Sequence, residues 1–430
     1  MTSSFAPDAE LSGKLSVMGF GTSDEIGQTR YDLATKELAN VDINLIEGQL
    51  NIQQFLSAVA TGDPPELIYA DRNQIGTFAS RGAIIPLDKC ISGEGIEIEN
   101  FLDTALGQVT FDGKIYGIPE FNQVQVVFAN SELLAEAGLE LSDVDGSDWD
   151  RVSAAAKAMM ERKDGELSVI GYDSKLPEFL PLWVHANGGA LISDDGRTAM
   201  LNTPEVVEAL TFAASIYEMQ GGFSEVKAYR DSTDFFGEGN QFATGTLGAM
   251  PMEQWYINVL NDVTPDAPVT FTTFKTKDGE PFSYSNGSAW AIPADSSNPA
   301  AACRFIKTMT ETASWMAAAE ARATEREKAN KPFTGLFTAN TEADQKIREK
   351  FVEDAGAENW NAGIEASYTA NDHSFAMPAN PAGSEFEAAW QDAVNAVLNG
   401  KKEPQAALDQ AQKQAQEVLD EAWESWDSKE

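Results

Sequence analysis

The stretch that decides the fold is Gly117-Ile118-Pro119-Glu120-Phe121-Asn122-Gln123-Val124-Gln125-Val126-Val127-Phe128-Ala129-Asn130, and Ser131-Glu132-Leu133-Leu134-Ala135-Glu136-Ala137-Gly138-Leu139 follows it directly. A Gly/Pro turn leads into a polar loop, and a valine-led apolar run predicts a buried strand. The Asn130-Ser131 pair then predicts a helix start, because both side chains cap helix N-termini well. A polar loop placed just before a buried strand is a natural position for a ligand contact.

Upstream of this stretch, short apolar segments alternate with helical ones. Three of them have the pattern of buried strands: 15–20, 41–46 and 66–70. Strands that alternate with helices predict an α/β layer with a largely parallel sheet. Ligands of such sheets bind beyond the carboxyl ends of the strands. We therefore expect three loops to converge: 19–24, 47–50 and 71–72.

Length and charge bound the function further. A chain of 430 residues exceeds the ~250–300 residues of a usual single core, so two domains are expected. The 30 basic and 68 acidic side chains give a net charge of −38. Such a surface repels nucleic acids and anionic lipids, because both depend on Lys and Arg for neutralisation. Neutral or cationic ligands stay compatible with it. The small polar residues 1–10 are expected to form a flexible tether.

No catalytic or metal-binding motif is present in the sequence. The P-loop, H-E-x-x-H and G-x-S-x-G patterns are all missing. His185 and His373 are the only histidines, which excludes a multi-histidine metal centre. The acidic segment 143–148 lacks the spacing of a calcium loop. We therefore expect no catalytic residue, no metal and no cofactor.

Cys90 and Cys303 are the only cysteines, and neither belongs to a C-x-x-C motif. They can pair if the fold brings them together. Two buried free thiols are the preferred prediction.

Several segments resemble the family 1 extracellular solute-binding proteins of bacterial ABC importers, which include the maltose-binding proteins. Besides the stretch at 117–139, the similar segments are Gly62-Asp63-Pro64-Pro65-Glu66-Leu67-Ile68, Asp71-Arg72, the Gly-x-x-x-Pro-Leu-Asp run at 82–88, the Phe-to-Trp element at 242–255 and the ending at 399–408. One departure is that the family's Tyr-Asn pair stands here as Phe128-Ala129-Asn130. The similarity touches nearly the whole chain.

This resemblance implies a two-lobe, periplasmic-binding-protein-like type II fold. Each lobe is expected to hold a mostly parallel sheet flanked by helices, and a helical C-terminal extension follows. The implied first lobe comprises residues 11–129 and 286–335, and the second comprises 130–285 and 336–430. Hinges are expected near 126–130, 285–290 and 333–340.

The resemblance also implies a function. The chain is expected to be an extracellular receptor without enzymatic activity, a monomer that captures a neutral oligosaccharide of two to four units, of plant or host origin. Its expected partner is the membrane permease of an ABC importer, with no nucleic acid involved. In Gram-positive members of the family the receptor is a lipoprotein tethered to the cytoplasmic membrane, and the lipidated cysteine is absent from this sequence.

Sugar ligands need aromatic platforms for their C–H faces and a few polar side chains for their hydroxyls. Each candidate has an alternative role, whether in the core, in a cap or on a solvated surface. The candidates are Trp255, Asp71, Arg72, Asn122, Gln123, Trp360, Asn371, Asp372, His373, Glu47 and His185. Trp255 and Trp360 are expected as platforms, Trp360 in a loop. The triplet 371–373 is expected as a hydroxyl clamp in a loop.

Two other classes of function stay open. The same fold can bind a polyamine or glycerol phosphate. A polyamine suits the net charge but requires several carboxylates in the cleft, whereas a phosphate requires basic clusters that the sequence lacks. A glycoside hydrolase with a pair of carboxylates is the enzymatic alternative.

Overall fold

The structure is a computed structural model that describes residues 5–428. Within that range the strands are β1 (Gly13–Met18), β2 (Val41–Ile46), β3 (Leu67–Asp71), β4 (Thr110–Phe111), β5 (Lys114–Ile115), β6 (Ile118–Gln123), β7 (Gln125–Asn130), β8 (Glu161–Lys163), β9 (Glu166–Tyr172), β10 (Leu247–Glu253), β11 (Val269–Lys275), β12 (Pro281–Tyr284), β13 (Asn286–Ala291) and β14 (Ser374–Phe375).

The α-helices of the same described range are α1 (Glu25–Glu37), α2 (Ile52–Thr61), α3 (Arg72–Ser80), α4 (Asp88–Glu94), α5 (Asp103–Val109), α6 (Ser131–Ala137), α7 (Trp149–Met159), α8 (Leu180–Ala186), α9 (Pro204–Glu218), α10 (Phe223–Asp231), α11 (Trp255–Val263), α12 (Pro299–Thr310), α13 (Thr312–Lys328), α14 (Thr341–Phe351), α15 (Glu358–Asp372), α16 (Gly383–Leu398) and α17 (Pro404–Asp427). None of them is both long enough and apolar enough to cross a membrane.

Two mixed sheets form the centres of two lobes. The first sheet has the order β2-β1-β3-β13-β6, and the second has the order β14-β12-β11-β7-β10-β9-β8. The sheets are mixed, so the expectation that each is mostly parallel is wrong. Strands that carry the chain between the lobes, such as β6, β7 and β13, run antiparallel to their neighbours.

The second half of the opening stretch folds as its pattern predicts, whereas residues 118–123, expected as part of a turn and a polar loop, form the strand β6. β7 lies inside the second sheet, and its apolar side chains at 126–129 are fully buried there. The side chain of Asn130 then accepts hydrogen bonds from the backbone N–H groups of Glu132 and Leu133, each at 3.0 Å. This is the predicted cap of α6.

The strand assignments move the first and third hinges. The chain passes from β6 to β7 at Val124, so residues 126–129 belong to the second sheet and not to the first lobe. Their apolar side chains fit only in the centre of the second core. The second crossing lies at Ser285, between β12 and β13.

The third crossing follows α14 instead of lying at 333–340. The backbone N–H of Ala339 donates to the carbonyl of Glu120 in β6 at 2.6 Å, and α14 packs on α13. Residues 336–351, expected in the second lobe, are therefore attached to the first.

The predicted tether is only partly described. Residues 1–4, and residues 429–430 of the expected second lobe, lie outside the described residues. Phe5 packs on the core of the first lobe, and Arg304 Nη2 donates to the carbonyl of Ala6 at 2.6 Å. Residues 5 and 6 are thus held against the first lobe.

Cys90 and Cys303 form a disulfide, so the preferred prediction of two free thiols is wrong. α4 packs on α12, and this packing brings the two cysteines together although 213 positions separate them in sequence. Both lie in the core of the first lobe.

Helices α16 and α17 pack on each other and contact both lobes. α16 lies against α3 of the first lobe, and Trp423 of α17 stacks on Phe111 of β4 with ring centroids 5.1 Å apart. On the other side, Gln412 of α17 accepts a hydrogen bond from the backbone N–H of Leu201 at 2.7 Å. The C-terminal helices therefore bridge the lobes, whereas the sequence placed them in the second lobe alone.

Candidate ligand cleft

One edge of the first sheet faces the second lobe. β1, β2 and β3 are parallel, so their carboxyl ends at Met18, Ile46 and Asp71 lie along the same edge. The register sets Ser288 opposite Asp71 at the start of β13, so the chain enters from the second lobe at this edge too. The loops predicted to converge at the ends of β1, β2 and β3 do so here.

The facing edge of the second sheet has a similar construction. β10 is antiparallel to β7, and Glu253 at its end lies opposite Gln125, directly after the first crossing. β9 is parallel to β10, so Tyr172 ends on the same side. We call the space between these two edges the cleft.

Carboxylates line the cleft from different elements. Asp71 occupies the N-cap position of α3, yet its side chain accepts no capping hydrogen bond from the described residues. The residue is exposed to solvent, but nearby protein atoms displace part of the water around its carboxyl. This partial desolvation raises the pKa of the carboxyl. Glu387 of α16 accepts a hydrogen bond from Asn73 Nδ2 at 2.6 Å. Burial, and then the negative charge of Asp71, raises the pKa of Glu387.

An aromatic group stands at the second-lobe edge. Trp255 is half-buried at the first residue of α11, and its indole N–H donates to Glu253. Phe236 lies nearly parallel to it, with ring centroids 6.2 Å apart, and is 64% exposed. Together the two rings present an apolar aromatic surface at this edge. Phe235 stacks on Tyr256 with ring centroids 4.2 Å apart, and this contact holds the loop that carries Phe235 and Phe236 against α11.

The loop after β9 completes this edge. Lys175 adopts a positive φ of 56°, which is rare for a residue with a side chain and is found preferentially at ligand sites. Its ammonium lies 6.0 Å from the centroid of the Phe235 ring. Burial, and to a smaller degree the charge of Glu178, raises the pKa of Glu253. The edge thus combines aromatic faces with hydrogen-bond acceptors and one cation.

Three predicted site residues lie beneath the cleft in a buried network. Arg72 Nη2 and Ser285 Oγ both donate to Asn122 Oδ1 at 2.7 Å, and Asn122 Nδ2 donates to Asn371 Oδ1 at 2.7 Å. Asp344 accepts from Asn371 at 3.5 Å. Burial lowers the pKa of Arg72 to about 9 and raises that of Asp344. Arg72, Asn122 and Asn371 therefore bind one another across the crossings, instead of lying on the open surface.

The other predicted residues fall at several places. Glu47 is exposed in the cleft-edge loop after β2, where Thr22 donates to it through N–H at 3.0 Å and through Oγ1 at 2.7 Å. Gln123 is half-buried at the end of β6. His185 stacks on Phe375 with centroids 3.9 Å apart, and burial lowers its pKa. Asp372 and His373 are both exposed at the end of α15. Contact of these residues with a ligand stays a prediction.

The prediction that Trp360 and the triplet 371–373 lie in loops is wrong. Trp360 lies in the first turn of α15, Asn371 and Asp372 are its last two residues, and His373 is its C-cap. Trp360 is 3% exposed, and its indole N–H donates to the carbonyl of Pro265 at 3.2 Å. It packs against Phe271 in the core of the second lobe, so it offers no platform to a ligand.

Sequence reasoning missed Phe236, Glu253 and Glu387. A signal for Phe236 was available, since two adjacent phenylalanines stand in a loop of Asp and Gly residues. Glu253 precedes Trp255 by two positions, but nothing in the pattern distinguished it from other acidic residues. Glu387 follows Phe386 on α16, and only the packing of α16 on α3 brings it to Asp71. Among the described residues, no group of three or more His, Cys, Asp or Glu side chains is arranged to hold a metal ion.

Comparison with known families is decisive for the class of protein. The profile of the bacterial extracellular solute-binding proteins matches residues 31–355. The chain belongs to this family. The solved structure of CpMnBP1 with mannotriose bound shares the fold, with a TM-score of 0.75 and 22% identity over 94% of this chain and 100% of that one.

Curated relatives of this solute-binding protein are distant. The arabinooligosaccharide-binding protein of Halalkalibacterium halodurans is 25% identical over 39% of this chain and 36% of its own length. The maltooligosaccharide ABC transporter solute-binding lipoprotein of Streptococcus pneumoniae is 24% identical over 66% of this chain and 62% of its own length. The chain thus spans between about a third and two thirds of the length of these relatives.

Proposed function

We propose that this solute-binding protein is the receptor of an ABC importer, which captures a neutral oligosaccharide of two to four units in the cleft and delivers it to a membrane permease. The observation that carries the proposal is the pairing of exposed aromatic faces, Trp255 and Phe236, with carboxylates. Aromatic rings pack against the C–H faces of sugars, and carboxylates accept hydrogen bonds from their hydroxyl groups. The names of the relatives support the same ligand class.

The two lobes are proposed to close on the ligand about the three crossings. Asp71 and Glu387 would accept hydrogen bonds from sugar hydroxyls, because the Asp71 carboxylate is not engaged as a helix cap and Glu387 lies beside it. Trp255 would support a sugar ring by stacking. Glu47 and Gln123 lie on the same first-lobe edge and are proposed as peripheral contacts.

We further propose that the protein acts outside the cytoplasm as a monomer that only binds and does not hydrolyse its sugar. The disulfide supports export, because disulfides persist in oxidising compartments. Attachment as a lipoprotein of a Gram-positive cell follows from the family resemblance and from the name of the pneumococcal relative. Palmitate labelling of the protein in its own host tests that attachment.

A polyamine is the second candidate ligand. A polycation requires several carboxylates in the cleft. The cleft supplies them at Asp71, Glu387, Glu253 and Glu178. The aromatic pair favours the sugar, since a flexible amine chain needs no flat platform of this size.

A thermal-shift screen followed by calorimetry tests the proposal. The panel contains manno-, malto- and arabino-oligosaccharides of two to four units, together with spermidine, putrescine and glycerol phosphate. A ligand at a hundredfold excess over its Kd stabilises the native state by ~2.7 kcal/mol, which is readily detected. Trp255→Ala is expected to weaken binding at least tenfold. Tyr229→Ala serves as the aromatic control, because Tyr229 of α10 donates to the carbonyl of Ser168 near the start of β9, away from the cleft, and its loss is expected to leave the Kd unchanged.

The outcomes separate the candidates. A shift with an oligosaccharide that is recovered intact, and its loss in Trp255→Ala alone, supports the receptor of neutral sugars. A shift only with a polyamine keeps the fold and replaces the ligand. Shortened products from the sugar would contradict a purely binding role.

A further inference from the structure

A chamber of about 190 Å³ lies between the lobes at one end of the cleft. Asp24, in the loop after β1, stands at its first-lobe side, and Trp255 stands at its second-lobe side. Because Trp255 also belongs to the aromatic group of the cleft edge, the chamber is continuous with the proposed sugar site. Its far wall comes from residues 334–337, which precede α14.

The walls of the chamber are mainly apolar. Phe121 of β6 and Trp255 contribute half-buried aromatic rings from opposite lobes, and Ile257 and Ile364 are almost fully buried beside them. Phe121 is fixed by an edge-to-face contact with Trp315 at 5.0 Å. An apolar pocket whose lining includes aromatic rings from both lobes suits a flat aromatic ligand.

Most polar side chains around the chamber already have protein partners, and Asn258 Oδ1 accepts from Thr334 Oγ1 at 3.5 Å. Gln254 accepts from the N–H of Val124 at 2.9 Å and donates to the carbonyl of Asn122 at 3.2 Å. Ser367 donates to the carbonyl of Gly363 at 2.8 Å, and Arg322 pairs with Asp24 and Glu25. A sugar ring placed here would bury hydroxyl groups that find few free partners, which costs on the order of 1–3 kcal/mol for each group.

We propose that this chamber is a subsite for a single aromatic ring joined through an oxygen atom to the chain end of the oligosaccharide. The volume fits, since an apolar cavity of ~150 Å³ in another protein holds benzene. The inference rests on the proposed function, because the sugar chain must lie in the cleft to direct the ring into the chamber.

Matched glycosides test the chamber. For whichever oligosaccharide of the panel binds, calorimetry compares the free sugar with its methyl and phenyl glycosides in both anomers. One phenyl anomer is expected to bind at least tenfold more tightly than its methyl counterpart. Asn258→Phe fills the chamber from a half-buried position that takes no part in the sugar site. It is expected to abolish the phenyl advantage and to leave the Kd of the free sugar unchanged.

Thr334→Phe fills the chamber from the opposite wall and serves as the second variant if the first fails to fold. Equal Kd values for phenyl and methyl glycosides in the wild type overturn the chamber while the sugar site stands. A phenyl advantage that survives in a folded, filled variant places the ring elsewhere and also overturns it. Failure of every parent sugar to bind overturns the proposed function instead.

Discussion

The buried network beneath the cleft allows a quantitative prediction. Asn122→Ala removes one hydrogen bond to the guanidinium of Arg72 and one each to Ser285 and Asn371. A bond to a charged group contributes about 1.5–3 kcal/mol and a neutral one about 1 kcal/mol. Arg72 is fully buried, and its Nε and Nη1 atoms have no other partner among the described residues, so the loss is not compensated. We expect the free energy of unfolding to fall by about 4 kcal/mol.

Asn122→Asp is the matched control for this change. The carboxylate keeps the acceptor for Arg72 and Ser285 and gives the guanidinium an opposite charge, and only the donor to Asn371 is lost. We expect a loss of about 1 kcal/mol. Urea unfolding followed by circular dichroism and by tryptophan fluorescence measures both variants. If Asn122→Ala loses less than about 1 kcal/mol, or if both variants lose the same amount, the network does not stabilise the crossings as argued.

Three further predictions concern the disulfide and the titrating carboxyls. Replacing Cys90 and Cys303 together by alanine is expected to lower the free energy of unfolding by about 5 kcal/mol, because a loop of 213 positions is no longer closed in the unfolded chain. Urea denaturation measures this loss, and unchanged sugar binding by the variant shows that its native fold is kept. Burial raises the pKa of Asp344, so the free energy of unfolding is expected to fall as pH rises from the ordinary Asp range through that raised pKa. Asp344→Asn should make the free energy of unfolding less dependent on pH in this range. An unchanged pH dependence in the variant would contradict the prediction. Asp71 and Glu387 must be ionised to accept sugar hydroxyls, and burial raises their pKa values. As pH falls, the Kd for the sugar is therefore expected to rise, and this rise should begin at a higher pH than carboxyls with an ordinary pKa of ~4 would produce. The double variant Asp71→Asn, Glu387→Gln should remove this pH dependence.

Local signals predicted the main elements well. The run Val126-Val127-Phe128 could only be a buried strand, and the cap at Asn130 fixed the helix after it. The alternation of strands and helices predicted a parallel order for β1, β2 and β3, and that order was enough to place Asp71 at the cleft edge. These features depend on residues that are close in sequence, so their pattern was sufficient.

The failures concern residues whose environment is set by distant parts of the chain. The α15 sequence contains three Asn, one Gly and one Thr, which are weak helix formers, and packing against β11 overrides their preference. Trp360 was therefore placed in a loop. Asn122 was expected just before the hinge strand, whereas Arg72 and Asn371 were expected as ligand contacts in loops, because the sequence could not distinguish a buried network from an exposed one. The pairing of Cys90 with Cys303 depends on the packing of α4 on α12.

The interleaved order of the sheets has a consequence for how the chain matures. β13 lies between β3 and β6 in the first sheet, yet it is synthesised only after the strands β7 to β12 of the second sheet. The first lobe therefore cannot complete its fold while the ribosome is still making the second, and Cys90 must wait for Cys303. A nascent chain that completes its fold late stays unfolded for longer, which suits the export proposed above.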